Sequence, residues 1–323
     1  MFVIVTGCAG FIGSHLTEKL LGQGHQVLGV DCFIDYYPRK VKENNLKGFL
    51  NHENFIFMQK HIEDITSKDM LFNNLKQVDV IFHLAAQAGV RGSWGDEFRQ
   101  YTIHTFEAAQ KVLEVARKLN VKKFVYASSS SVYGNHPIMP VQEDSGADLW
   151  PVSPYGVTKL AGEKLCKLYS ETYGLPIAVL RYFTIYGPRQ RPDMGFMKFI
   201  DSILNGKEIN VYGDGEQTRD FTFISDAIEA TITAANADLK YETINVAGGA
   251  RVTVNGVLKM LEDISGKPAK KTYIEKQQGD VQHTYADITK AKRLLNYDPK
   301  VNLTQGLKAQ FDWYINEFIP LIA

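Results

Sequence analysis

Along the first half of the chain, short runs of β-branched and aliphatic residues alternate with stretches whose apolar positions repeat at helical spacing. "MFVIVTG" is followed by "FIGSHLTEKLLGQG" and "HQVLGVD", and later come "VDVIFHLAA", an amphipathic segment near 98–119, and "VKKFVYASSSS". Strands that alternate with helices imply βαβ units and a parallel sheet, because parallel neighbours need a crossover connection. The pattern predicts a doubly wound α/β architecture. Past position 180 it loosens. A helix with Phe196, Ile200, Ile203 and Leu204 on its apolar side is expected to stop at Gly206, and "INVYGDGE" reads as a short strand with a glycine turn. "RDFTFISDAIEATITAA" and "ETINVAGG" then resume sheet and helix character. The expected division is a first unit over 1–180, with 221–249 returning to it, and a smaller interwoven lobe from 181–220 and 250–323.

Composition narrows the possibilities. With 36 basic and 36 acidic residues the 323-residue chain has no net formal charge, whereas a protein that grips nucleic acid through phosphates carries a basic surplus. No nucleic-acid partner is expected. The first strand begins at Phe2 and no apolar run is long enough to span a bilayer, so the expectation is a cytoplasmic protein without a membrane partner. Cys8, Cys32 and Cys166 are odd in number and widely spaced, which suits reduced thiols and implies neither a disulfide framework nor a zinc site.

"TGCAGFIG" sets Gly7, Gly10 and Gly13 at three-residue intervals between a strand and a helix. Such glycines serve where backbone must approach a pyrophosphate and a helix packs tightly on a strand, although the same spacing also makes plain tight turns. Asp31 ends the second strand roughly twenty residues beyond the loop, where an acid accepts hydrogen bonds from an adenosine ribose. An aspartate there can equally open a turn. A 2′-phosphate would be repelled by this carboxylate, and the glycine loop holds no basic residue, so NAD is favoured over NADP. Asp64 in "HIEDIT" either meets the adenine or is a solvated loop acid.

"YASSSSVYG" closes another strand, and "SPYGVTK" follows it. Ser153 is a good N-cap and Pro154 suits the first helical position, which puts Tyr155 and Lys159 one turn apart on a common face. Tyr36 and Lys40 share the spacing, but Pro38 stands between them and disfavours one helical turn. A tyrosine has a pKa near ~10, so it acts as a base at neutral pH only where nearby cations such as Lys159 lower it.

In order along nearly the whole chain, "TGCAGFIG", "HLAAQAGVR", "SSSSVYG", "YGVTK" and "GDGEQTRDFTFISD" resemble the extended short-chain dehydrogenase/reductase family. "GVRGSW", "SPYGVTKLAGEKLC" and "YFTIYGPRQRPDM" are similar to nucleotide-sugar 4-epimerases, particularly bacterial UDP-glucuronic acid 4-epimerases. The resemblance implies a Rossmann-type fold, tightly held NAD regenerated each turnover, a UDP-sugar substrate and a homodimer. It implies Ser129 as the catalytic hydroxyl, Tyr155 as the base, and Lys159 as the holder of the nicotinamide ribose. Around the cofactor it places Gly7, Gly10, Phe11, Ile12 and Gly13, together with Asp31, Asp64, Ile65 and Ala85. Arg219 and Asp280 are implied contacts of the UDP portion, and Arg91 a residue of the sugar pocket. Two positions depart from the family pattern: Thr105 stands where many relatives carry asparagine after "YxxxN", and Thr184 replaces the asparagine of "RYFN".

These departures bear on "RYFTIYGPRQRPDM", whose two arginines, Arg189 and Arg191, each stand beside a proline. A threonine hydroxyl at 184 and a guanidinium at 191 suit the carboxylate of a hexuronic acid, and such charge-assisted bonds are about twice as strong as neutral ones. Related decarboxylases place a glutamate directly before "VYG", where this chain has Ser131. The expectation is a 4-epimerase of a UDP-hexuronic acid. The alternatives are a 4-epimerase of UDP-glucose or a UDP-N-acetylhexosamine, a decarboxylase or 4,6-dehydratase, and a non-catalytic nucleotide-sugar or NAD binding protein.

Overall fold

The computed structural model describes residues 1–65, 77–144, 149–276, 279 and 281–322. Its main sheet is built from Phe2–Thr6 (β1), Gln26–Asp31 (β2), Phe55–Gln59 (β3), Val80–His83 (β4), Lys123–Ser129 (β5) and Ile177–Tyr182 (β6). The seventh strand of this sheet is Tyr241–Val246 (β11), while Ile185–Tyr186 (β7), Glu208–Tyr212 (β8), Thr218–Asp220 (β9), Thr222–Phe223 (β10), Arg251–Thr253 (β12) and Lys270–Ile274 (β13) form two-stranded pairs. The seven-stranded order is β11-β6-β5-β4-β1-β2-β3, and every neighbouring pair is parallel. This is the doubly wound sheet that the alternating pattern predicts. Its order reverses between β1 and β4, and in such sheets ligands settle beyond the strand carboxyl ends at that point.

Both sheet faces are covered, which is why these strands read as nearly unbroken apolar runs. Val3, Val5, Val27 and Leu180 pack on one side with Leu16 and Leu20 of the Phe11–Gly22 helix (α1). Ile4, Leu28, Ile81 and Val179 pack on the other with Leu113 and Cys166. A further core joins Phe196, Ile200 and Ile203 to Val257, Leu261 and Phe311 beside the β8/β13 pair. The helix Gly195–Asn205 carrying the first three ends at Gly206, in left-handed conformation, where the sequence expects its stop. Among the described residues, no helix is long and apolar enough to cross a membrane.

The helix expected over 98–119 differs from its prediction. α-Helical Phe98–Tyr101 and Ala108–Leu119 are joined by a π-helical turn at Thr102–Glu107. In that turn the buried Thr105 hydroxyl accepts from Gln87 N at 3.2 Å and meets Gln87 O at 3.5 Å. Thr105 thus keeps a polar tie to the segment after β4, and a wide turn is a common way to aim one side chain without ending a helix.

Behind the ends of β5 and β6 lies a buried ion pair. Arg181 donates through Nε to Glu163 Oε1 at 2.9 Å and through Nη2 to Oε2 at 2.7 Å, with the two side chains 5% and 4% exposed. Ser128 donates to the same carboxylate, and the guanidinium lies 4.7 Å from the centre of the Tyr133 ring. Replacing Arg181 by methionine leaves the carboxylate buried without its partner and should cost about 3–5 kcal/mol. Adding Glu163→Gln should recover most of that loss. Urea denaturation of the single and double variants measures both, and a single-variant cost below about 1 kcal/mol would show that the pair is not what holds this junction.

Candidate active site

The turn after β1 has no room for a side chain at Gly7, nor α1 at Gly13. Gly7 has φ +74°, and a Cβ there would meet Ala85 N at 2.9 Å; a Cβ on Gly13 would lie 2.0 Å from Gly7 O. Gly10 caps α1 without any side-chain hydrogen bond, so the helix start is left to backbone N–H groups, the usual donors to a phosphate. At the end of β2, Asp31 accepts from Ala9 N at 3.1 Å and Phe33 N at 2.8 Å, which leaves acceptor capacity on its two oxygens. Burial raises its pKa, while the Phe33 N–H, the Lys42 charge and the Ala9 N–H act in the opposite direction. A close-approach turn, an uncapped helix start and a carboxylate beside them fit a dinucleotide.

Beyond the ends of β5 and β6 opens a cavity of about 1480 Å³, larger than the ~300–1,000 Å³ usual for one small ligand. Ser129, Tyr155 and Lys159 line it together. Ser153 caps the helix Pro154–Tyr173 by accepting from Gly156 N at 3.2 Å, with Pro154 in its first turn. The comparison pair separates as expected, since the helix after Pro38 starts only at Arg39 and leaves Tyr36 outside it. Ser129 caps the turn Ser130–Val132, its hydroxyl accepting from Ser131 N and donating to Ser131 Oγ, both at 3.1 Å.

The electrostatics of Tyr155 differ from the expectation. Burial raises its pKa, and a hydrogen bond with Ser129 and the charge of Arg191 pull it back. Lys159 donates instead to Ala127 O at 2.8 Å, with its ammonium 5.3 Å from the Tyr126 ring centre. Burial holds that ammonium down to about 8, against the opposing pull of Cys166 and Glu163. Four-residue spacing makes the two side chains neighbours at their bases, but their tips follow their own partners.

The two arginines after β6 part company. Arg189 sits at φ +64°, and this left-handed residue turns the loop between them. Arg189 then pairs with Glu18 of α1 at 2.8 Å, while His15 meets Pro188 O at 2.9 Å. Burial, followed by the Arg189 charge, lowers His15 to about 4. Arg191 lines the cavity with Thr184. Its Nε and Nη2 each donate to an oxygen of Asp193 at 3.0 Å, and the guanidinium lies 5.7 Å from the Tyr36 ring centre. Burial opposes its charge, but the fork with Asp193 outweighs this and keeps Arg191 above its ordinary range.

Arg91 and Arg219 also face the cavity, as do Phe11 and Ile12 at the start of α1. Arg91 lies 4.2 Å from the centre of the Tyr212 ring, and Arg219 donates to Thr218 O at 2.9 Å and Gln282 O at 3.1 Å. Asp31, Asp64, Ile65 and Ala85 fall outside that lining, at or just past the ends of β2, β3 and β4. Asp64 is exposed and Ile65 buried. Asp280 lies outside the described residues.

Sequence reasoning missed Asp193, although it stands two residues past Arg191 in the same motif, and Glu163, one further helical turn beyond Lys159. It also missed His83, whose Nδ1 takes the Thr6 hydroxyl at 2.8 Å while that hydroxyl accepts from Leu84 N and Ala85 N, both at 3.2 Å. Burial, aided by the Lys159 charge, lowers His83 to about 3. An apolar strand context marks His83 only as core.

The chain is 47% identical over 309 residues to the uncharacterized UDP-glucose epimerase YtcB of Bacillus subtilis (strain 168), covering 95% of this chain and 96% of that one. It is 41% identical over 314 residues to the UDP-glucuronate 4-epimerase of Thermodesulfobacterium geofontis (strain OPF15), covering 97% and 95%. Its fold superposes with a TM-score of 0.91 on the crystal structure of UDP-glucuronic acid 4-epimerase from Bacillus cereus in complex with UDP-glucuronic acid and NAD, at 41% identity and over 97% and 98% of the two chains. Residues 3–247 match the model of one family, and the chain belongs to it: the NAD dependent epimerase/dehydratase family.

Proposed function

We propose that the protein is an isomerase, an NAD-dependent 4-epimerase that interconverts UDP-glucuronate and UDP-galacturonate through a transient 4-keto sugar. The observation that carries this reading is the meeting of Ser129, Tyr155 and Lys159 with Thr184 and Arg191 on one cavity. The similarity to an epimerase that binds UDP-glucuronic acid and NAD supports it.

When bound, NAD supplies the hydride acceptor and donor at sugar C4. Tyr155 takes the proton of the C4 hydroxyl, Ser129 shares that proton by hydrogen bonding, and Tyr155 returns it after the keto sugar has turned about its diphosphate linkage. Lys159 and the glycine turn orient the cofactor, and Arg219, Arg91 and Asp280 hold the UDP-sugar. Thr184 and Arg191 grip the C6 carboxylate and keep its bond to C5 out of line with the C4 carbonyl, which slows loss of CO2. Ser131 accepts from Ser129 in the position where decarboxylases carry a glutamate, so no carboxyl group stands there.

In this reading residues 1–180 and 221–249 hold the cofactor, and 181–220 with 250–323 hold the sugar nucleotide. Val157 and Leu168 stand on one face of the Pro154–Tyr173 helix and expose much of their apolar surface, which favours pairing of that helix across a homodimer. The same reading has the protein working in the cytoplasm.

A second reading, epimerisation of a neutral UDP-sugar, is favoured by Asp193. This carboxylate already occupies two of the five guanidinium donors and offsets the charge that would draw a uronate.

Incubation with UDP-glucuronate and no added NAD should yield UDP-galacturonate, identified by chromatography and NMR, and Tyr155→Phe should lower kcat by about 10²–10⁴-fold with substrate affinity kept. Arg191→Met should raise the KM for UDP-glucuronate by about tenfold to a hundredfold and leave that for UDP-glucose unchanged, as expected for a lost charged hydrogen bond. Equal effects on both substrates would favour the neutral-sugar reading. Asp193→Asn should lower the KM for UDP-glucuronate alone.

A further inference from the structure

Away from the cavity, the short helical turn after β3 and the π-helical turn bring two imidazoles to one carboxylate. His61 and Glu63 come from the first segment, Ile62–Asp64 with its preceding residue, and His104 from the second, Thr102–Glu107. Glu63 Oε1 lies 3.2 Å from His104 Nδ1 and 3.3 Å from His61 Nδ1, and one ligand atom from each residue falls within 4.8 Å of the others. We propose that His61, Glu63 and His104 form a binding site for one divalent transition-metal ion of the zinc type.

Three observations carry this. With zinc bonds of about 2.0–2.1 Å to nitrogen and oxygen, tetrahedral angles set neighbouring ligand atoms roughly 3.3 Å apart, so two edges of the polyhedron already have their length. Gln100 Oε1 lies 3.0 Å from His104 Nε2. An acceptor there can hold a ring proton on Nε2, the arrangement that lets Nδ1 give its lone pair to an ion beside Glu63 Oε1. The side chains of Glu63 and His104 are only 19% and 13% exposed, while His61, 48% exposed, gives an ion a way in. Two imidazoles and one carboxylate suit zinc, whereas magnesium and calcium take oxygen ligands. His104 lies within the π-helical turn, and a bound ion would clip the turn carrying Asp64 to that helix.

The test uses tag-free, full-length protein, stripped with a chelator and dialysed, and titrated by calorimetry with Zn²⁺ and separately with Mg²⁺. Wild type should take up one Zn²⁺ per chain and show no Mg²⁺ binding, and Glu63→Gln and His104→Gln should each bind Zn²⁺ at least about tenfold more weakly. Melting temperature with and without Zn²⁺ gives a second reading that does not depend on a variant's own stability: wild type rises more than either variant at the same Zn²⁺ concentration. The absence of saturable Zn²⁺ binding by wild type would overturn the proposal. So would an affinity kept within about tenfold in the double variant His61→Ala/His104→Gln.

Discussion

The buried Glu163–Arg181 pair fixes how Ser129, Tyr155 and Lys159 come to one cavity. Glu163 lies two helical turns beyond Tyr155 and one beyond Lys159, Arg181 comes from β6, and Ser128 from β5 is bonded to the same carboxylate. A single carboxylate therefore joins the helix that carries Tyr155 both to β6 and to the strand that ends at Ser129. Tyr133 extends the junction, its ring under the guanidinium and its hydroxyl donating to Asn245 Oδ1 on β11 at 2.7 Å. Two charges taken out of water stabilise a fold little in net terms, but they demand one geometry, and that demand falls on neighbours of Ser129 and Tyr155.

Much of this was legible in the sequence because it depends on local rules. The glycine turn, the Ser153 cap with Pro154, the stop at Gly206 and the alternation of strand with helix each follow from backbone chemistry within a few residues. What was not legible depends on where side-chain tips end. Periodicity placed Lys159 beside Tyr155, yet the carbonyl of Ala127 took the ammonium, and the charge acting on the phenol came from Arg191 across the cavity. The π-helical turn was hidden for the same reason, since Thr105 finds its partner in Gln87, on a different segment.

The loop after β6 shows how one short motif serves two purposes. Arg189 fastens the loop to α1 through Glu18, and Arg191 turns to the cavity, where Asp193 holds it. A guanidinium fixed in this way has little side-chain entropy left to lose on binding an anion, but part of its charge is already spent. Under the proposed function, selectivity between charged and neutral sugars rests on the balance between Asp193 and the ligand for the same donors.

The same loop is moored by amides. Gln310 donates to Gln190 Oε1 at 2.7 Å and accepts from Gly187 N at 3.0 Å, and Gln190 donates in turn to Ile185 O at 3.1 Å. None of these groups gains or loses a proton between mild acid and mild alkali, and all are shielded from dissolved salt. The mooring therefore keeps its shape across conditions that would loosen ionic ties, so the arm bearing Arg191 stays aimed while the charges around it change.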